Sequence, residues 1–118
     1  MTRRTKLLLA FQAVLFAAAS LVHAGVLLSG YEHSRAAIAE GVIALVLLAG
    51  FVVSLVRPAS ARTIALVAQG LALVGTLVGA FTIAVGVGPQ TTADYVFHAL
   101  LLALLVSGLV VAGRSSRY

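Results

Sequence analysis

Four long runs of apolar residues, interrupted by three short polar breaks, fill almost the whole chain. The runs Leu7 to Leu28, Ala36 to Val56, Thr63 to Val87 and Ala93 to Ala112 each reach the ~20 residues that a helix needs to cross a ~30 Å hydrocarbon core. The breaks between them are too short to hold a core of their own, and short connections make sequential helices antiparallel neighbours. The pattern predicts an all-α, integral membrane four-helix up-and-down bundle, a single four-span domain over residues 1–118.

Composition strengthens this reading. Hydrophobic residues make up 62% of the chain and charged residues 9%, and the mean hydropathy is +1.15, far from that of a water-soluble domain. The formal net charge of +5 would suggest an acidic partner in a soluble protein, but here the basic residues flank the spans, so no nucleic-acid partner is expected. Arg3, Arg4, Lys6, Arg57, Arg62, Arg114 and Arg117 fall on one side of an alternating topology and Arg35 alone on the other. The excess of basic residues marks the cytoplasmic side, placing both termini inside. The expected location is a bacterial cytoplasmic membrane.

Two local features qualify the spans. Arg3, Arg4 and Lys6 followed by an apolar run to Val22-His23-Ala24-Gly25 have the outline of a signal peptide. The run is longer than the ~7 to 15 residues of such a core and His23 is a poor neighbour for cleavage, so it is read as the first span. Pro58 marks a tight turn between the second and third spans. Ser34 is placed to cap the second helix and Thr91, with Asp94 three residues on, to cap the fourth. Tyr31 and Tyr95 lie where ring side chains favour the headgroup layer.

The third span carries small residues at every fourth position, Ala68, Ala72, Thr76, Ala80 and Ala84, beside the GxxxG of Gly75 and Gly79. Such a stripe lets helix backbones approach closely, which is a main source of helix affinity in lipid. It fits packing inside the bundle or against a second copy in a homo-oligomer. Gln69 in the same span is expected to hydrogen-bond across helices.

Chemistry is confined to the outward half, where all the acids and histidines lie. Glu32 and His33 are in the first outer loop, while His23, Glu40, Asp94 and His98 are in spans or at their ends. With a rise of 1.5 Å per residue, His23, Glu40 and His98 fall at similar depths, ~6 to 8 Å inside the ends of their runs. Two imidazoles and a carboxylate suit a divalent metal such as zinc. His33 is placed to add a ligand, and Asp94, four residues before His98, to orient that imidazole. The alternative cofactor is a b-type haem with His23 and His98 as axial ligands. Absence of cysteine excludes disulfides, thiolate metal sites and thiol redox chemistry within this chain.

At Glu40-Gly41, followed by Leu45, Leu47, Leu48 and Gly50, the second span resembles the corresponding helix of the DoxX-like four-helix membrane proteins, and His23-Ala24-Gly25 is compatible with it. The resemblance covers the four spans. It implies a compact four-helix bundle in a family that includes subunits of membrane-associated oxidoreductases, and it carries over no catalytic residue.

No span has the full-length polar face of a channel or the broken helices and midplane charges of a transporter, and autonomous catalysis is not expected. Two functions are left. One is an accessory or structural subunit of a larger membrane complex, electron-transfer or envelope related, recognised through protein–protein contacts. The other is a ligand-binding membrane protein holding a metal or haem at the outward His/Glu site.

Overall fold

The computed structural model describes residues 2–88 and 90–114; Arg117, counted above among the cytoplasmic charges, lies outside them. The described residues form four helices, α1 (Arg3–His23), α2 (Ser34–Val56), α3 (Ala61–Ala84) and α4 (Thr92–Arg114), with a 3-10 turn at Pro58–Ser60 between α2 and α3. All four are long and apolar enough to cross a membrane. Each helix packs on its sequence neighbour, α1 closes the ring against α4, and α1 also touches α3 across the diagonal. The bundle measures 46 × 25 × 17 Å.

The first span is shifted towards the N-terminus relative to its apolar run. Thr2 caps α1 by accepting a hydrogen bond from the Thr5 N–H, so the helix begins among the basic residues. It stops at His23 because Gly25 adopts a φ of +79°, a left-handed conformation that only glycine takes readily. The N–H of Gly25 donates to the Val22 carbonyl and that of Val26 to the Leu21 carbonyl, the paired bonds of a Schellman cap. The apolar residues Val26 to Leu28 therefore belong to a loop. α3 ends in the same way, with Gly86 donating to Ile83 and Val87 to Thr82.

The helix starts differ in how they are capped. Thr91 and Asp94 form a reciprocal capping box, Thr91 N–H donating to Asp94 Oδ2 and Asp94 N–H to Thr91 Oγ1. At α2 the cap is His33 rather than Ser34: the imidazole Nδ1 accepts from the Ala36 N–H, and Ser34 is the first helical residue.

The core is narrow because much of it is alanine. Leu9, Phe16, Leu47, Leu101 and Leu105 are almost fully buried among Ala13, Ala44, Ala65 and Ala72. Valine, leucine and isoleucine side chains such as Val14, Ile38, Leu45, Val74 and Leu100 cover the outside. Apolar residues on every face suit lipid rather than water. Within the stripe on α3, Ala68, Ala72 and Thr76 are buried, Gly75, Gly79 and Ala80 are half-buried, and Ala84 is exposed at the helix end. Close approach occurs at Gly50 of α2, where a Cβ would stand 2.7 Å from the Ala68 Cβ.

A buried polar layer ties three helices together nearer the end that holds the chain termini. Gln12 Nε2 donates to Gln69 Oε1 at 2.9 Å and to the Leu104 carbonyl at 3.2 Å. Gln69 Nε2 donates to the Ala65 carbonyl of its own helix and to the Gly108 carbonyl of α4. Gln69 thus acts as both donor and acceptor, linking α1, α3 and α4. At the extreme of the same end, Arg62 Nη2 donates to the Gly113 carbonyl.

Candidate functional site

The opposite end of the bundle carries the ionisable groups. Glu40 and His98 each lie six residues into their helices, α2 and α4, which start at the same end of the bundle, so the two stand at one level, ~9 Å from the helix starts. His23 is the last residue of α1. A small buried space of about 60 Å³ is bounded by Phe16, Glu40, Gly75, Thr76, Gly79 and His98. Above it lies a cavity of about 220 Å³ whose walls include His23, His33, Arg35, Gly79, Asp94 and His98. Gly75 and Gly79 border both, so the GxxxG of α3 leaves room inside the bundle. A Cβ at Gly75 would meet Ile43 Cδ1 at 3.0 Å and one at Gly79 would meet His98 Nε2 at 3.5 Å.

Glu40 resolves its burial by pairing. Its Oε2 lies 2.6 Å from His23 Nδ1, and the two residues are 6% and 8% exposed. A single proton between these atoms satisfies both whichever partner holds it, and the bond staples the end of α1 to α2. Next to it, Ser20 Oγ donates to the Ala37 carbonyl at 2.6 Å, a second tie between the same helices.

His98 is oriented by its own helix. Its Nδ1 lies 2.8 Å from the Asp94 carbonyl oxygen, which can only accept, so Nδ1 carries a proton and in the neutral ring Nε2 is the acceptor. The orienting group is the Asp94 backbone, not the carboxylate expected from the i−4 spacing. The carboxylate is held at the helix start by the Thr91 N–H and hydroxyl. His33 accepts at Nδ1 from Ala36, which places its proton on Nε2, and its ring meets that of His23 edge-on at a centroid distance of 6.3 Å. Glu32 stands apart: it accepts from the Gly30 N–H through both oxygens and braces the loop.

The structure therefore brings His23 and Glu40 into direct contact and sets His33, His98 and Asp94 around the adjoining cavity. Among the described residues, no three His, Asp or Glu side chains are grouped closely enough to share one metal ion. Glu40 occupies the position expected of a residue that orients His23, its Oε2 sitting on Nδ1 while Nε2 is left for other partners.

Three participants escape a reading from composition alone. Arg35 lines the cavity beside the histidines, although the sequence marked it only as the one basic residue of its side. Gln12 is fully buried and partners Gln69; a glutamine in each of two spans was the available signal. Gly108 lies directly against both amides, which nothing in its sequence surroundings indicates.

Comparison with protein-family models, with curated proteins and with solved structures returned no match for this chain.

Proposed function

We propose that this chain is an accessory or structural subunit of a larger membrane complex, electron-transfer or envelope related, lying in a bacterial cytoplasmic membrane with both termini inside. The charge asymmetry across the spans supports the orientation, and the resemblance to DoxX-like membrane proteins supports the association with redox assemblies.

The observation that carries the reading is a groove of about 640 Å³ along the seam of α1 and α2, where the small residues Ala13, Ala17, Ser20, Ala37, Gly41 and Ala44 lie between larger apolar side chains such as Val14, Ile38 and Leu45. Apolar burial does not drive helices together in lipid, so surfaces of small residues that admit a neighbouring helix are where association gains most. The bundle's own polar groups are largely engaged internally, by His23 with Glu40, Gln12 with Gln69 and Ser20 with Ala37. Shape, rather than polar recognition, is left to the exterior.

Native electrophoresis of gently solubilised source membranes tests this. The wild-type chain should migrate in one assembly well above its 12.1 kDa, and Ala17→Phe, which fills the groove from an exposed position, should release it as a smaller folded species. A wild-type chain that runs free, or an assembly indifferent to Ala17→Phe, would overturn the proposal.

A second reading, a protein that binds a metal or haem, has its own support: His23 and His98 each commit Nδ1 to an oxygen, leaving Nε2 as the ligating atom on both rings. Elemental mass spectrometry of the detergent-purified chain separates the two. Ligand binding predicts near-stoichiometric metal that disappears in a His23→Ala, His98→Ala double variant, with iron and a Soret band for haem. The subunit reading predicts no stoichiometric metal in either sample.

A further inference from the structure

The seam between α1 and α4 opens near the histidine-bearing end into an apolar groove of about 470 Å³, walled by Leu15, Ala18 and Val22 on one side and Val96, Phe97 and Leu100 on the other. His23 and Asp94 border this groove and also the cavity whose lining includes Arg35 and the other two histidines. An apolar groove on the outside of the bundle thus adjoins a cavity lined by ionisable residues, with His23 and Asp94 common to both. From Leu15 to Val22 the groove accommodates ~10 Å of an extended chain.

The polar end has a definite charge pattern. Arg35 is its one basic residue besides the histidines, against Glu32, Glu40 and Asp94. Glu32 is tied to Gly30 and Glu40 to His23. Asp94 commits Oδ2 to Thr91; its Oδ1 and the Arg35 guanidinium take no hydrogen-bond partner among the described residues, and they do not pair with each other. Among the described residues, the cavity lining therefore offers one guanidinium and one carboxylate oxygen that form no ion pair with each other. A purely anionic headgroup would satisfy the first and meet the second; a purely cationic one would do the reverse.

We propose that the α1/α4 groove and the adjoining cavity form a binding site for one zwitterionic phospholipid bearing a phosphate and a primary ammonium. Arg35 donates to the phosphate, Asp94 Oδ1 accepts from the ammonium, and one acyl chain lies between α1 and α4. Guanidinium–phosphate and ammonium–carboxylate bonds are the stronger, charge-assisted kind. The site is on a different seam from the α1/α2 groove and does not rest on the subunit role.

Native mass spectrometry of the full chain released from detergent tests the site with three lipids of equal acyl composition: phosphatidylethanolamine, phosphatidylcholine and phosphatidylglycerol. One phosphatidylethanolamine should be retained per chain, about tenfold more tightly than either of the others, corresponding to loss of one charge-assisted hydrogen bond. Arg35→Gln, at an exposed position, should lower the affinity for all three lipids by a similar factor, because each carries the phosphate, and leave the preference for phosphatidylethanolamine in place. Ala18→Trp, which fills the groove without entering the core, should abolish retention. Equal retention of all three lipids, retention of none, or retention undiminished in Ala18→Trp would overturn the proposal.

Discussion

Gly108→Val is expected to destabilise the bundle by about 3 kcal/mol, the sum of overpacking and of the hydrogen bonds it displaces. A Cβ at this position would collide with Gln69 Oε1 and stand 2.5 Å from Gln12 Nε2. Both amides are fully buried, so neither can swing into water to make room. Displacing them also separates Gln12 from Gln69 and from the Leu104 carbonyl, and Gln69 from the Gly108 carbonyl. Unfolding in mixed micelles measures the loss. Gly70→Val on α3 is the control, since nothing lies within 4 Å of a Cβ there; equal effects of the two substitutions would show that the amide layer is not what makes Gly108 necessary.

The next largest effect is expected at the other polar layer. Glu40→Leu leaves the His23 Nδ1 buried with no partner, and an orphaned buried polar group costs about 1–3 kcal/mol. Glu40→Gln keeps an oxygen within reach and should cost less than about 1 kcal/mol, the scale of a single interhelical hydrogen bond in lipid. Replacing both partners, His23→Leu with Glu40→Leu, should recover much of the loss, because a polar pair exchanged for apolar groups of similar size is often near neutral. A double-mutant cycle on detergent-solubilised protein reads the coupling. Additive single-variant effects would mean that the 2.6 Å contact does not hold α1 to α2.

The four helices and their order are written openly in the sequence, because in lipid each span must satisfy its own backbone and so must be a continuous apolar run. Ends are less visible. Val26, Leu27 and Leu28 extend the first apolar run beyond the helix, and only the left-handed Gly25 shows where α1 stops. The capping box of Thr91 and Asp94 was legible because its spacing is fixed by local geometry. The cap from His33 was not, since imidazole is an uncommon cap and Ser34 beside it a common one.

At the site, the periodicity places His23, Glu40 and His98 at neighbouring depths, as rise per residue allows. What depth alone cannot supply is rotation about the helix axis, which decides whether side chains at one level converge. That rotation puts Glu40 on His23 and leaves His98 facing Gly79 and its own Asp94 carbonyl. The pairing of Gln12 with Gln69 was hidden for the same reason: each residue could be placed along its helix, but not around it.

Thr76 and Gln69 on α3 are seven positions apart, ~10 Å along the axis, and the interior at that level is supplied by Ala72 with neighbouring alanine and leucine side chains. This apolar layer separates the histidine-bearing end from the glutamine layer and acts as the insulating gap of a capacitor. A transmembrane voltage falls mainly where water and charge are excluded, and moving one charge through 100 mV is worth ~2.3 kcal/mol. The His23–Glu40 pair lies on one side of this layer. Proton exchange at the pair should therefore respond to membrane potential less than transfer of a charge through the alanine and leucine layer would.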